Sequence, residues 1–339
     1  MVYLKNKFAI GCLVQWYEVE LIDEYLESVT RALQSIDNKE NVIVDICFNM
    51  AQNLEQVDET QMKLDDIFQR FLKVRTSLSG QGRDTRISFY PSKREEFNNE
   101  KLTPYTIADY RREFNERYCD QVDVLMWGET DALIPKQTFE VLDLLHNNNI
   151  ENKTNKYIAF FGTCKMWDES WQSIEHVDFT DKPFVDMDTK NWWSLRYNMN
   201  IDEMDDINDK VEQLDVRTVN PFKFNGCGLV ISSDVIKAGV NIPRSAFFIH
   251  EDTAFMFSLI KNLGENIPQF IFKNILLVHN RKHPKKRMYV KGERNIELGD
   301  VGSARKVHDW YKKASDMSHH NVYNLFNQSK IYTWEDVFK

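Results

Sequence analysis

No apolar run in this 339-residue sequence approaches the ~18 residues that a membrane-crossing helix needs, so a soluble protein without a membrane span is expected. Cysteine is sparse. Five residues, at positions 12, 47, 119, 164 and 227, are odd in number and form no CxxC pair. That spacing indicates neither a disulfide framework nor a cysteine-rich zinc site, and it suits a reducing cytoplasm. A secretory cleavage site is missing too: MVYLKNKFAIGCLV has a basic start and a short apolar run, but residues 15–20 that follow are polar. The segment reads as a first strand. Positive charge is outnumbered, and a net charge of −9 argues against a protein that coats nucleic acid non-specifically. Internal repeats, low-complexity linkers and a clear domain break are all absent. Hydrophobic residues at 42% and aromatics at 13% supply the material for a real core, which disfavours disorder.

The most informative stretch is VDVLMWGETDALI, residues 122–134. A bounded, β-rich apolar run over 122–127 predicts a buried strand, and Glu129 and Asp131 follow it one residue apart. Ligands bind at the carboxyl ends of strands in open α/β sheets, and two such acids can turn together toward a hard divalent cation. The plainer alternative is a solvated turn in which Asp131 caps the helix marked by Phe139, Leu142 and Leu145. Around this stretch, strands are expected at 8–14, 42–48, 86–90, 157–161, 224–232 and 270–279. Helical stripes run through Ile22 to Leu33, residues 54–72, Ile107 to Tyr118, Ala254 to Leu259 and residues 303–314. Regular βα alternation predicts a mostly parallel, doubly wound, Rossmann-like α/β sheet.

The alternation breaks over residues 165–220, an aromatic and acidic insertion. It carries Trp167, Trp171, Trp192 and Trp193, then IDEMDDINDKVEQLD, where Ile201, Met204, Ile207, Val211 and Leu214 mark an amphipathic helix with a charged outer face. These acids lack the glycine and terminal glutamate of a calcium loop, so a solvated face is the preferred reading. Trp192 and Trp193 are either core residues or, on the acceptor side of a ligand edge, stacking platforms for a sugar or base. The last expected strand runs into RKHPKKRMYVKGER, with seven basic residues between 281 and 294 against one acid.

Four segments in order carry a resemblance to the GT-A fold glycosyltransferases, family 2 type, over about residues 5–290. FAIGCLVQWYEVELIDEYLESV resembles the family's opening strand and helix, which implies donor contacts at Gln15, Trp16 and Glu18. ADYRREFNERY followed by VDVLMWGETD is similar to its Arg-Asn helix and Asp-x-Asp strand end, with Glu129 in place of the first aspartate. HEDTAF resembles the Glu-Asp pair that supplies the catalytic base, at Glu251 and Asp252, and VHNRKHPKKR the Arg-x-His-Pro segment that closes the donor site, at Arg281, His283 and Pro284. The acid that the family carries after its second strand has no clear counterpart at residues 49–53.

The resemblance implies a glycosyltransferase domain over 1–295, with residues 296–339 as a helical extension packed on it. It implies a nucleotide-diphosphate sugar donor, UDP-linked by preference, bound with Arg112 and Lys286, and a manganese or magnesium ion held by Glu129, Asp131 and His279. A diphosphate leaving group needs such charge neutralisation, and the acceptor hydroxyl needs a general base, here Asp252 in an inverting displacement. Arg111 and Arg112 are equally readable as solvent-facing. The acceptor is expected to be a saccharide or lipid-linked sugar, placed by Trp192, Trp193, Lys285 and Arg287. A second candidate is hydroxymethylated bases in bacteriophage DNA, because the basic segment exceeds what one diphosphate needs. A nucleotidyltransferase would carry a glycine-rich basic loop after the first strand, where QWYEVE has neither feature. An inactive sugar-nucleotide-binding module is the remaining alternative.

Overall fold

A computed structural model of the chain describes residues 1–15, 21–49, 69, 85–90, 105–165, 169–183, 197, 199–220, 225–279 and 309–339. Among the described residues nine strands form the centre: β1 (Phe8–Gln15), β2 (Val42–Asn49), β3 (Thr85–Tyr90), β4 (Val124–Glu129), β5 (Ala132–Leu133), β6 (Ile158–Thr163), β7 (Val216–Thr218), β8 (Val230–Ser232) and β9 (Gln269–His279). The helices between and after them are α1 (Ile22–Gln34), α2 (Ile107–Tyr118), α3 (Thr138–Glu151), α4 (Val177–Thr180), α5 (Ile201–Asn208), α6 (Ser233–Lys237), α7 (Glu251–Leu263), α8 (Asp309–Tyr323) and α9 (Trp334–Val337). Among the described residues no helix is long and apolar enough to cross a membrane.

The spatial order is β3-β2-β1-β4-β8-β6-β9-β5, with β7 paired to β9 off this path. Strands β1, β2, β3, β4, β6 and β9 run one way and β5, β7 and β8 the other, so the sheet is mixed but mostly parallel. It is covered on both faces, as the strand pattern requires. In β1, Phe8, Ile10, Cys12 and Val14 pack with α1 and α3, while Ala9 and Leu13 turn to the face held by α2, α6 and α7. The same alternation in β4 sends Val124 and Met126 one way and Leu125 and Trp127 the other.

Several expected boundaries move. The strand foreseen at 224–232 is only Val230–Ser232, because Gly228, at φ 70°, takes the chain out of the extended region just before it. The acidic helix stops at Asn208, short of Val211 and Leu214. Its end is pinned there: the Asn208 amide donates to the Leu276 carbonyl at 3.0 Å and accepts from the Leu276 N–H at 2.7 Å. Val211 and Leu214 still pack on the core, but from a loop. Helix α7 starts at Glu251 rather than Ala254, which puts both acids in its first turn. The C-terminal helix runs over Asp309–Tyr323 rather than ending at 314. Residues 54–68 and 70–72 of the expected second helix lie outside the described residues.

Within the segment 165–220, the described residues 169–183 and 199–220 are built into the body. Met204 of α5 and Phe179 of α4 join Leu133, Leu276 and Val278 in one apolar cluster, and β7 extends the sheet along β9. The C-terminal helices dock elsewhere: Ala314, Trp334 and Val337 bury Phe247 and Phe248, just ahead of α7.

Candidate active site

Parallel pairing of β1 with β4 sets Leu13 opposite Glu129, so both strands end together at one edge of the sheet. Glu129 is the last residue of β4 and is not beyond it as expected. Its side chain is 25% exposed. Gly128, just before it, meets Tyr25 of α1: a Cβ there would land on the phenol hydroxyl, so only glycine lets the strand end pass so close to α1. Asp131 departs from the capping reading of the sequence. It is 2% exposed, neither solvated nor capping α3, whose first residue, Thr138, follows Gln137.

What holds Asp131 is His279. The antiparallel pairing of β5 with β9 sets Ala132 opposite His279, which brings the imidazole over the acid pair. His279 Nε2 lies 3.0 Å from Asp131 Oδ1 and 3.3 Å from Glu129 Oε2. Of the three expected metal ligands, His279 thus touches both acids.

Helix α2 brings the cation that neutralises this edge. It starts on a capping box, in which Asp109 accepts from the Thr106 N–H at 3.1 Å, and it buries Ala108, Tyr110 and Phe114 against the sheet. Arg111 projects from that buried side, 2% exposed in its side chain. Its Nη2 donates to Glu129 Oε1 at 2.8 Å and to the Gly226 carbonyl at 2.9 Å, and its Nη1 donates to Glu251 Oε1 at 2.5 Å. The guanidinium also sits 4.7 Å from the Trp127 ring centre, and Trp127 Nε1 donates to Asn115 Oδ1 at 2.9 Å, which locks the indole beneath it. Gly226 has to be a glycine for this approach, since a Cβ there would sit 2.5 Å from Arg111 Nη1.

Glu251 and Asp252 open α7, where backbone N–H groups favour negative charge. His250, at φ 62°, turns the chain left-handed to enter the helix. Asp252 Oδ1 accepts from the Thr253 N–H at 2.7 Å and from the Thr253 hydroxyl at 3.3 Å, and Oδ2 accepts from the Gly226 N–H at 3.1 Å. Burial raises the Glu251 carboxyl to about 7 against the opposing pull of Arg111, with Asp252 and Glu129 adding to the rise. Burial by itself would lower the Arg111 guanidinium, but Glu251 and Glu129 outweigh it and hold the group charged.

The two neighbouring arginines differ in role. Arg112, a donor ligand by resemblance, points into the body: Nε donates to the Ile242 carbonyl at 2.8 Å and Nη2 to those of Pro243 and Ala246 at 3.1 Å. It holds a loop, and neither arginine faces solvent. Gln15, half-buried, ends β1 at the same edge of the sheet. Trp16, Glu18, Trp192, Trp193, Arg281, His283, Lys285, Lys286 and Arg287 lie outside the described residues.

The donor set suits a divalent cation. Donor atoms of Glu129, His279 and Cys227 lie within 4.8 Å of one another, with Asp131 against the same imidazole. The spacing of Cys227 in the sequence matches no metal motif; its local signal is the flanking pair Gly226 and Gly228.

No protein-family model matches the chain, and no curated protein matches it. Among solved structures it is similar to residues 1–349 of TarS from S. aureus, at 11% identity and a TM-score of 0.43, over 96% of this chain and 76% of that one.

Proposed function

We propose that this chain is a GT-A type glycosyltransferase, which moves a sugar from a nucleotide-diphosphate donor, UDP-linked by preference, to an acceptor hydroxyl with inversion. One observation carries the reading: Glu129 of β4 and Glu251 of α7, more than 100 residues apart in sequence, converge on a single guanidinium at the carboxyl edge of a mostly parallel sheet. Such an edge is where nucleotide ligands sit in open α/β sheets. Glu129, Asp131 and His279 are the ligands for a divalent cation, which when bound neutralises charge developing on the diphosphate. Arg111 holds Glu129 and Glu251 in place. Asp252 takes the proton of the attacking hydroxyl, its carboxylate aimed by the Gly226 and Thr253 N–H groups. The acceptor is a saccharide or a lipid-linked sugar; DNA bearing hydroxymethylated bases is the second candidate, resting on the basic residues Lys285, Lys286 and Arg287.

Asp252→Asn tests the chemistry. It preserves size and hydrogen bonding but cannot accept a proton, and loss of a general base costs ~100- to 10,000-fold in rate. Nucleotide release from UDP-sugars in the presence of manganese is the assay, and donor binding measured by thermal shift should survive the substitution. Near-normal turnover, or a product that retains the donor's anomeric configuration, refutes this assignment. Salt dependence of acceptor binding separates the acceptors: duplex DNA predicts a log–log slope of roughly −0.9 per phosphate contacted, a neutral saccharide almost none.

A further inference from the structure

Cys227 has no part in that mechanism, yet it lies within the site. It is 5% exposed, outside any disulfide, and sits on the turn that leads into β8. Its Sγ, a carboxylate oxygen of Glu129 and a ring nitrogen of His279 all lie within 4.8 Å of one another. The three arrive from separate places: the end of β4, the turn before β8 and the end of β9. A chance cluster of exposed acids is a poor description of this set, since Cys227 and His279 are both buried.

A second observation points the same way. The Tyr25 hydroxyl is fully buried and makes no hydrogen bond among the described residues. An unpartnered buried donor costs about 1–3 kcal/mol. That hydroxyl lies against Gly128, the residue before Glu129, so a buried polar group without a hydrogen-bond partner borders the site.

We propose that Cys227 is a third ligand, with Glu129 and His279, for a zinc-class divalent cation at this site. This rests on the metal-dependent reading above and alters the identity of the ion. Magnesium takes oxygen ligands in near-octahedral geometry, and manganese likewise favours carboxylate, carbonyl and water. Sulfur, imidazole nitrogen and carboxylate oxygen together suit zinc, or cobalt as its spectroscopic substitute. Three protein ligands leave a coordination position open for an oxygen of the donor diphosphate, as in catalytic rather than structural zinc sites. In this assignment Cys227 replaces Asp131 in the ligand set; Asp131 lies 3.0 Å from His279 Nε2.

The test titrates the metal-stripped full chain with cobalt(II) and reads the near-ultraviolet absorbance. A thiolate-to-cobalt charge-transfer band is expected, absent in Cys227→Ser and retained in Cys12→Ser. Zinc should displace cobalt, and it should bind at least ~10-fold tighter than manganese, an advantage that Cys227→Ser removes. If Cys227→Ser does not fold, the presence of the band in the unsubstituted protein and its loss after selective alkylation of Cys227, identified by peptide mapping, decides the matter. Cobalt binding seen by calorimetry without a thiolate band overturns the Cys227 assignment and leaves the metal-dependent reading standing. No binding of cobalt, zinc or manganese overturns both, while donor binding remains testable by thermal shift.

Discussion

Arg111 lies beneath two carboxylates and above one indole, and three of its contacts are to groups from different parts of the chain: Glu129, Gly226 and Glu251. A buried charge of this kind is costly unless it is fully paired, and breaking the pairing is what destabilises. Replacing Arg111 with methionine leaves Glu129 and Glu251 facing each other without a cation, and should cost ~3–5 kcal/mol in urea unfolding. Arg111→Lys keeps the charge but loses the fork that reaches two acids at once, so part of the loss should remain. Arg112→Lys is the contrast: it should weaken the loop at Ile242 to Ala246 and leave cation affinity at Glu129 unchanged. Equal effects of the two lysine substitutions on cation affinity would mean that Arg111 has no special role at the acids.

The contact between α7 and α8 carries a pair of histidines at the entrance to the acid-bearing turn. His250 Nε2 and His319 Nδ1 are 3.3 Å apart, and Tyr323 packs its ring against both. Burial holds His250 below its ordinary value of 6.5, Asp252 pulls it upward, and His319 pushes it further down. A histidine depressed in the folded state binds fewer protons there than in the unfolded chain. Its contribution to stability is therefore complete above pH ~6.5 and declines as pH falls through the folded value. Hydrogen exchange in α8 should accelerate on acidification below that point, and His319→Gln, which can hydrogen-bond but not charge, should make the dependence shallower. Exchange in α8 that is independent of pH across this range, after correction for the intrinsic rate, would show the pair to be inert.

On the scale of the whole molecule, the C-terminal helices pack on the loop that leads into Glu251 and Asp252. Ser318 Oγ accepts from the Phe248 and Ile249 N–H groups and donates to the Ile249 carbonyl at 3.0 Å, while Trp334 packs edge-on to Phe247 and Phe248. A chain ended before residue 309 exposes both phenylalanines as an apolar patch. Such a chain should lose ~3 kcal/mol or more of stability and self-associate, as seen in thermal melts and size-exclusion chromatography. An unchanged melting temperature would show that α8 and α9 are accessory.

Local pattern was enough for much of this architecture. The bounded apolar runs at β1, β4 and β9 are legible because a strand covered on both faces is apolar nearly throughout, and the stripes of α1 and α2 because a helix on the sheet buries one face with its own period. The same logic marked Glu129, Asp131, Glu251 and Asp252, acids placed where an apolar run stops or a helix starts. Contacts across the chain are a different matter. Arg111 and Arg112 are adjacent and chemically identical, and only the rotation of α2 against β4 sends one to the acids and the other to the carbonyls of residues 242–246. The burial of Asp131 depends on the β5–β9 register that brings His279 across to it. The approach of Cys227 to Glu129 and His279 depends on a turn at Gly226 and Gly228, which the alternation of the expected strand at 224–232 conceals. Short-range sterics and hydrophobic periodicity are written residue by residue; the meeting of side chains more than 100 positions apart is decided by how the sheet is ordered and how each helix is rotated upon it.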